Sequence, residues 1–255
     1  MKVTEVSDNL RDLSTHVRLQ RQPYYAAGTW GYTVLRTVYT PESDALFPAA
    51  IERLKRYVHY LCHHFRFPAY GPLCEREKVD FAEPSEELFR RFYVDVVEDR
   101  EGLGHLDSGG NSPERFIAIA AYFRQWLRGV DMGDSSEKEP RFRSCLVIDS
   151  ESLALLATLS DELPPLRCAT SRQEKVDRVG VGDEAWLWLL EVRYMGQPDL
   201  HQHDPYPGWL RVRPSGIKAS WFTQVFLNDN DHWFCLWHDE QPEGSGIYYH
   251  SFDGL

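Results

Sequence analysis

The chain has 255 residues, 42% hydrophobic and 26% charged, an ordinary globular composition long enough to bury a large core without covalent staples. Aromatics reach 13%, with eight Trp, which excludes a disordered chain and points to a large packed interior or an aromatic-lined pocket. A net charge of −11 and a pI near 5.4 repel nucleic-acid backbones and anionic lipid, so neither is expected as a partner.

Residues 1–28 are polar without a sustained period and are expected to form an N-terminal arm on a single α+β domain of residues 29–255. The β-branched and aromatic run over 30–39 predicts a strand with Tyr32, Val34 and Val38 on one face. Thr40-Pro41 then supplies a helix cap and a proline for the first helical position. Phe47, Ala50, Leu54, Tyr57, Val58 and Leu61 follow at helical spacing. A proline-containing loop over 64–83 and a short helix over 85–91 lead to a strand over 92–97, which ends in Glu98-Asp99-Arg100-Glu101.

A glycine-rich loop over 102–110 precedes Ser112-Pro113-Glu114, which starts a helix striped by Phe116, Ile119, Ala120, Phe123 and Leu127. Residues 129–140 are acidic and predict a loop. A strand over 142–148 runs into Asp149 or Ser150, either of which caps a helix carrying Leu153, Leu156 and Leu159. The stretch 161–184 reads as a long connection containing Pro164-Pro165. Strands are then expected over 186–194, 209–213, 233–237 and 246–252, with a short helix near 218–227. This order fits a ferredoxin-like split β-α-β core with an additional β-rich C-terminal portion.

No apolar leader and no 18-residue apolar run is present, so the protein is expected to be cytoplasmic and not a membrane partner. Its five Cys are scattered without a C-x-x-C pair, which removes zinc-ribbon and redox-dithiol motifs. Gly180-Val181-Gly182-Asp183-Glu184-Ala185 spells a dinucleotide fingerprint, but charged residues precede it and a strand-like apolar run follows, so a plain glycine turn is expected. P-loop, H-E-x-x-H, EF-hand and G-x-S-x-G patterns are missing. Neither a cofactor nor a metal is therefore expected.

Candidate chemistry rests on fewer residues. Glu98 and Asp99 follow an apolar strand, where paired carboxylates can divide acid and base roles. Arg36 interrupts another strand and needs a counter-charge, either as a structural ion pair with one of these acids or as an anion or carbonyl clamp. His201 and His203 point to one side if their segment is extended, as a proton shuttle requires, although Pro198, Pro205 and Pro207 mark a loop. Cys62-His63-His64 ends the first long helix, where favourable interaction with the helix dipole suffices. Trp186 and Trp188 share a strand face; with Trp209 they form core, a substrate-binding wall or a partner surface.

Four strings occur together in order: Trp30-Gly31-Tyr32 with Leu35-Arg36-Thr37-Val38-Tyr39; Val96-Val97-Glu98-Asp99-Arg100; Val147-Ile148-Asp149-Ser150-Glu151-Ser152-Leu153; and Gly208-Trp209-Leu210-Arg211-Val212. The set resembles a large family of uncharacterised intracellular proteins of filamentous fungi, over roughly residues 28–240. That resemblance implies an intracellular fungal protein and transfers no catalytic residues. Two functions stay open. One is a cofactor-independent lyase, isomerase or cyclase acting on a small apolar or amphipathic metabolite of a biosynthetic pathway. The other is a non-catalytic binding or interaction module using the Trp-rich β region.

Overall fold

The computed structural model describes residues 29–64, 82–107, 110, 112–130, 140–166, 171–179, 181–182, 184–192, 195, 207–217 and 247–248. In chain order these form β1 (Trp30–Arg36), α1 (Pro41–His64), α2 (Ala82–Arg90), β2 (Phe92–Glu98), α3 (Arg100–Leu103) and α4 (Pro113–Arg128). Then come α5 (Pro140–Arg143), β3 (Ser144–Ile148), α6 (Ser150–Thr158), α7 (Arg172–Val179), β4 (Leu187–Glu191), β5 (Trp209–Val212) and β6 (Ile247–Tyr248).

The principal helices begin where the sequence supplies caps. Thr40 Oγ1 accepts from Ser43 N at 3.1 Å and Ser43 Oγ accepts from Thr40 N at 2.8 Å, a reciprocal box around Pro41. Ser112 caps α4 ahead of Pro113, and Asp149 closes a capping box with Ser152 at the start of α6.

The strands among the described residues join one sheet in the order β2-β1-β3-β4-β5-β6. β1 is parallel to both of its neighbours, β2 and β3. The β3–β4 and β4–β5 pairs are antiparallel, and β5–β6 is parallel. Side chains divide between the two faces with the strand period of two. On one face α1, α2 and α6 bury Phe47, Ala50, Leu54, Leu88 and Leu156 against Trp30, Tyr32, Val34, Leu146 and Leu187. On the other, α4 lays Phe116, Ile119, Ala120 and Phe123 on Leu35, Cys145, Val147 and Trp188. Gly31, at φ 138°, lets β1 approach β2 where a Cβ would run into the Tyr93 carbonyl oxygen.

The expected mixture of helices and strands is present. The split β-α-β detail differs, because β1 and β2 are directly hydrogen-bonded parallel neighbours with no strand between them. The physical reason lies in β1 itself, which is buried on both faces and therefore needs helices on both sides. Within 161–184 the chain forms α7, which its polar sequence concealed; only Val176 and Val179 are apolar. Local pairs support it, with Gln173 Nε2 donating to Asp177 Oδ1 at 2.7 Å and Arg178 bonded to Glu174. Gly182 turns the chain at φ +84°, and a Cβ there would lie 2.7 Å from the Tyr57 ring. A helix precedes this turn and a strand follows it, the reverse of a dinucleotide fingerprint.

The arm 1–28, the acidic residues 131–139, the helix expected over 218–227 and the strand over 233–237 lie outside the described residues. Among the described residues, no helix is long and apolar enough to cross a membrane.

Candidate functional site at the strand carboxyl ends

From β1 the chain reaches β2 through α1 and α2, packed on one face of the sheet. From β2 it reaches β3, on the other side of β1, through α4 on the opposite face. Strand order thus reverses at β1. The crevice outside the carboxyl ends of such strands is where open α/β sheets place their ligands. Two polar networks occupy that edge here.

The first surrounds Arg36, the last residue of β1, whose side chain is 6% exposed. Its Nε donates to Val38 O at 2.8 Å and its NH1 to Glu98 Oε2 at 2.7 Å. NH2 donates to Ser43 Oγ at 3.1 Å and to Asp44. Rings of Tyr39 and Phe47 flank the guanidinium at 4.7 and 4.6 Å. Arg100 NH2 binds the other Asp44 oxygen at 2.9 Å, so charges alternate from Glu98 through Arg36 and Asp44 to Arg100. Asp44 and Glu98 remain 44% and 52% exposed. A buried guanidinium therefore holds two water-facing carboxylates in fixed positions. In this arrangement Arg36 forms the ion pair with Glu98 that the sequence offered beside a clamp on an anion or carbonyl, and it positions both acids.

Asp99 stands beside this network with a different job. Its Oδ1 accepts from Gly102 N at 2.9 Å and its Oδ2 from the Tyr122 hydroxyl at 2.8 Å, which caps α3 and ties it to α4. Those bonds, the Gly102 amide first, hold its carboxyl below the ordinary aspartate value. Burial together with Asp99 pushes the Tyr122 phenol up.

The second network centres on Asp149 after β3. Its Oδ1 accepts from Ser152 N at 2.9 Å and Ser152 Oγ at 2.8 Å. Its Oδ2 accepts from Arg115 NH2 at 2.9 Å and Trp188 Nε1 at 2.8 Å. Burial would raise this carboxyl, but the Ser152 bonds, the Arg115 charge and the indole together hold it below the ordinary value. Arg115 also donates to Leu106 O at 2.7 Å and to Gly110 O at 2.9 Å. With side-chain exposures of 3% and 7%, Arg115 and Asp149 form a sealed structural pair.

Among the sequence candidates, Arg36, Glu98 and Asp99 come together at one edge, while His201 and His203 lie outside the described residues. Trp186 and Trp188 are buried and meet edge to face at 5.0 Å, and Arg211 lies 4.1 Å from the Trp186 ring. Trp209 and Trp188 both pack on Phe116. These indoles build the core under the networks. Sequence reasoning missed Asp44, Arg100 and Arg115. An acid in a first helical turn carries only the dipole signal, and a partner 34 residues away leaves no local mark. It also assigned no metal ligands and favoured a helix-dipole role for His63, whereas His63 meets His59 and Glu86.

Compared with family models, curated proteins and solved structures, the chain matches none.

Proposed function

We propose that the protein is a cofactor-independent enzyme that acts on a small apolar or amphipathic metabolite by general acid–base chemistry, of the lyase, isomerase or cyclase type. One observation carries this reading: Glu98 and Asp44, both water-facing, are held on a single buried guanidinium where the strand order reverses. Glu98 takes the substrate proton, Asp44 serves as the second carboxylate, and Arg36 acts through both as a positioning residue. His201 and His203 remain the candidate proton shuttle. A fungal biosynthetic setting is supported by the four sequence strings alone. The alternative of an interaction module has less support, because Trp186 and Trp188 are buried against α4 and do not form a surface.

The test uses the full chain and a fractionated small-molecule extract of a filamentous fungus. Wild type gains melting temperature in one fraction and consumes one component of it, because a ligand that binds the native state raises the midpoint. Glu98→Gln keeps the unliganded midpoint and loses the consumption. Consumption by Glu98→Gln at the wild-type rate, or no response of wild type to any fraction, rejects the proposal.

A further inference from the structure

A separate cluster lies at the other end of α1. That helix runs back along the sheet from the strand carboxyl ends, and at 1.5 Å per residue His59 lies roughly 27 Å along it from Pro41. His59 and His63 are one turn apart and face α2. Nε2 of His59 lies 2.8 Å from Glu86 Oε1, and Nε2 of His63 lies 2.7 Å from the same oxygen. The two rings meet edge to face at 89° with centroids 5.0 Å apart. Phe89 walls one side at 4.3 Å from His59, and Phe92 in turn packs on Trp30, which places the cluster beside the amino ends of β1 and β2.

We propose that His59, His63 and Glu86 form a binding site for a divalent transition metal of the zinc class. The donor set is two imidazoles and one carboxylate, the combination that zinc takes when a fourth position stays open to water. The three donor atoms all lie within 4.8 Å of one another. Tetrahedral zinc at its usual bond lengths needs donors about 3.3 Å apart. For an ion to replace the two hydrogen bonds, Glu86 Oε1 withdraws by about half an ångström and the two imidazole nitrogens settle at the same donor spacing. His63 is 3% exposed and Glu86 44%, so the site is anchored on its protein side and open on the other. Imidazole and carboxylate donors without a thiolate favour zinc over copper(I) and nitrogen donors favour it over magnesium or calcium. Such an ion joins α1 to α2, which flank residues 65–81, and stands apart from the acid–base site.

The experiment strips the full chain with chelator and titrates it with zinc, and with cobalt(II) as the spectroscopic probe. Wild type is expected to bind one equivalent, to show visible d–d bands of a four- or five-coordinate site, and to melt at higher temperature. Glu86→Gln, altered at a half-exposed position, is expected to keep its metal-free midpoint. It should lose affinity by more than the roughly 10–100-fold that removal of an outer-shell partner costs. His59→Ala should behave likewise. Equal zinc affinity and equal stabilisation in wild type and Glu86→Gln overturn the proposal, as does the absence of cobalt bands in wild type. The cluster is then a hydrogen-bonded His–Glu–His bridge. Failure of the acid–base proposal leaves this result untouched, since Glu98→Gln changes no metal ligand.

Discussion

The two networks at the strand carboxyl ends use the same residue types, and their fates differ. Around Asp149, each carboxylate oxygen accepts two bonds and arginine and acid are sealed together. Around Arg36, only the cation is buried, and both acids keep a face toward water. Removing one partner of a buried pair strands a charge, whereas removing a half-exposed acid lets water take its place. The first arrangement holds the fold. The second leaves carboxylates open to solvent.

Several measurements can break or sharpen that contrast. Asp149→Ala should have the largest effect, a loss of about 3–5 kcal/mol in denaturant unfolding, because Arg115 is left buried without its counter-ion. A loss below about 1 kcal/mol, the level of a surface pair, contradicts the sealed reading. Trp188→Phe keeps the ring packing on Phe116 but removes a bond to an ionised acceptor, and should lose about 1.5–3 kcal/mol. Tyr122→Phe should lose about 0.5–1.5 kcal/mol by the same measurement, since it removes one bond to the half-buried Asp99 cap. Glu98→Gln should be the mildest, within about 1 kcal/mol, and should act on turnover instead.

Acid unfolding separates the networks again. The folded Asp149 carboxyl sits below its ordinary value, so its contribution is complete above the ordinary aspartate range and disappears as pH falls through the folded value. Replacing it as Asp149→Asn should flatten the acid limb of a stability–pH curve below about pH 4, on top of a general loss of stability. A limb as steep as wild type assigns acid sensitivity to other carboxyls.

The sequence made the local half of this molecule legible. Thr40-Pro41, Ser112-Pro113 and Asp149 announced three helix starts because a cap acts within four residues. Tyr32 and Val34 share a face, as do Trp186 and Trp188, because strand alternation is a local property. Which strands pair is decided by burial summed over distant segments, and so the parallel β2-β1-β3 order stayed hidden behind a one-sided reading of β1. The same limit applies to the sites. Glu98 was visible beside its strand, but its link to Asp44 runs through a cation 62 residues earlier in the chain. His59 and His63 already stood at helical spacing, yet the carboxylate between them comes from a different helix.

The bond from the Trp188 indole to Asp149 has a consequence for synthesis. A ribosome releases α4, β3 and the start of α6 well before it makes β4. Until residue 188 emerges, the Asp149 carboxylate lacks one of its donors and β3 lacks its antiparallel neighbour. The nascent parallel unit thus carries an open edge and an acid short of one hydrogen bond, and an open edge is where strands find wrong partners. Completion of β4 supplies the missing neighbour and the missing donor together, from one five-residue strand.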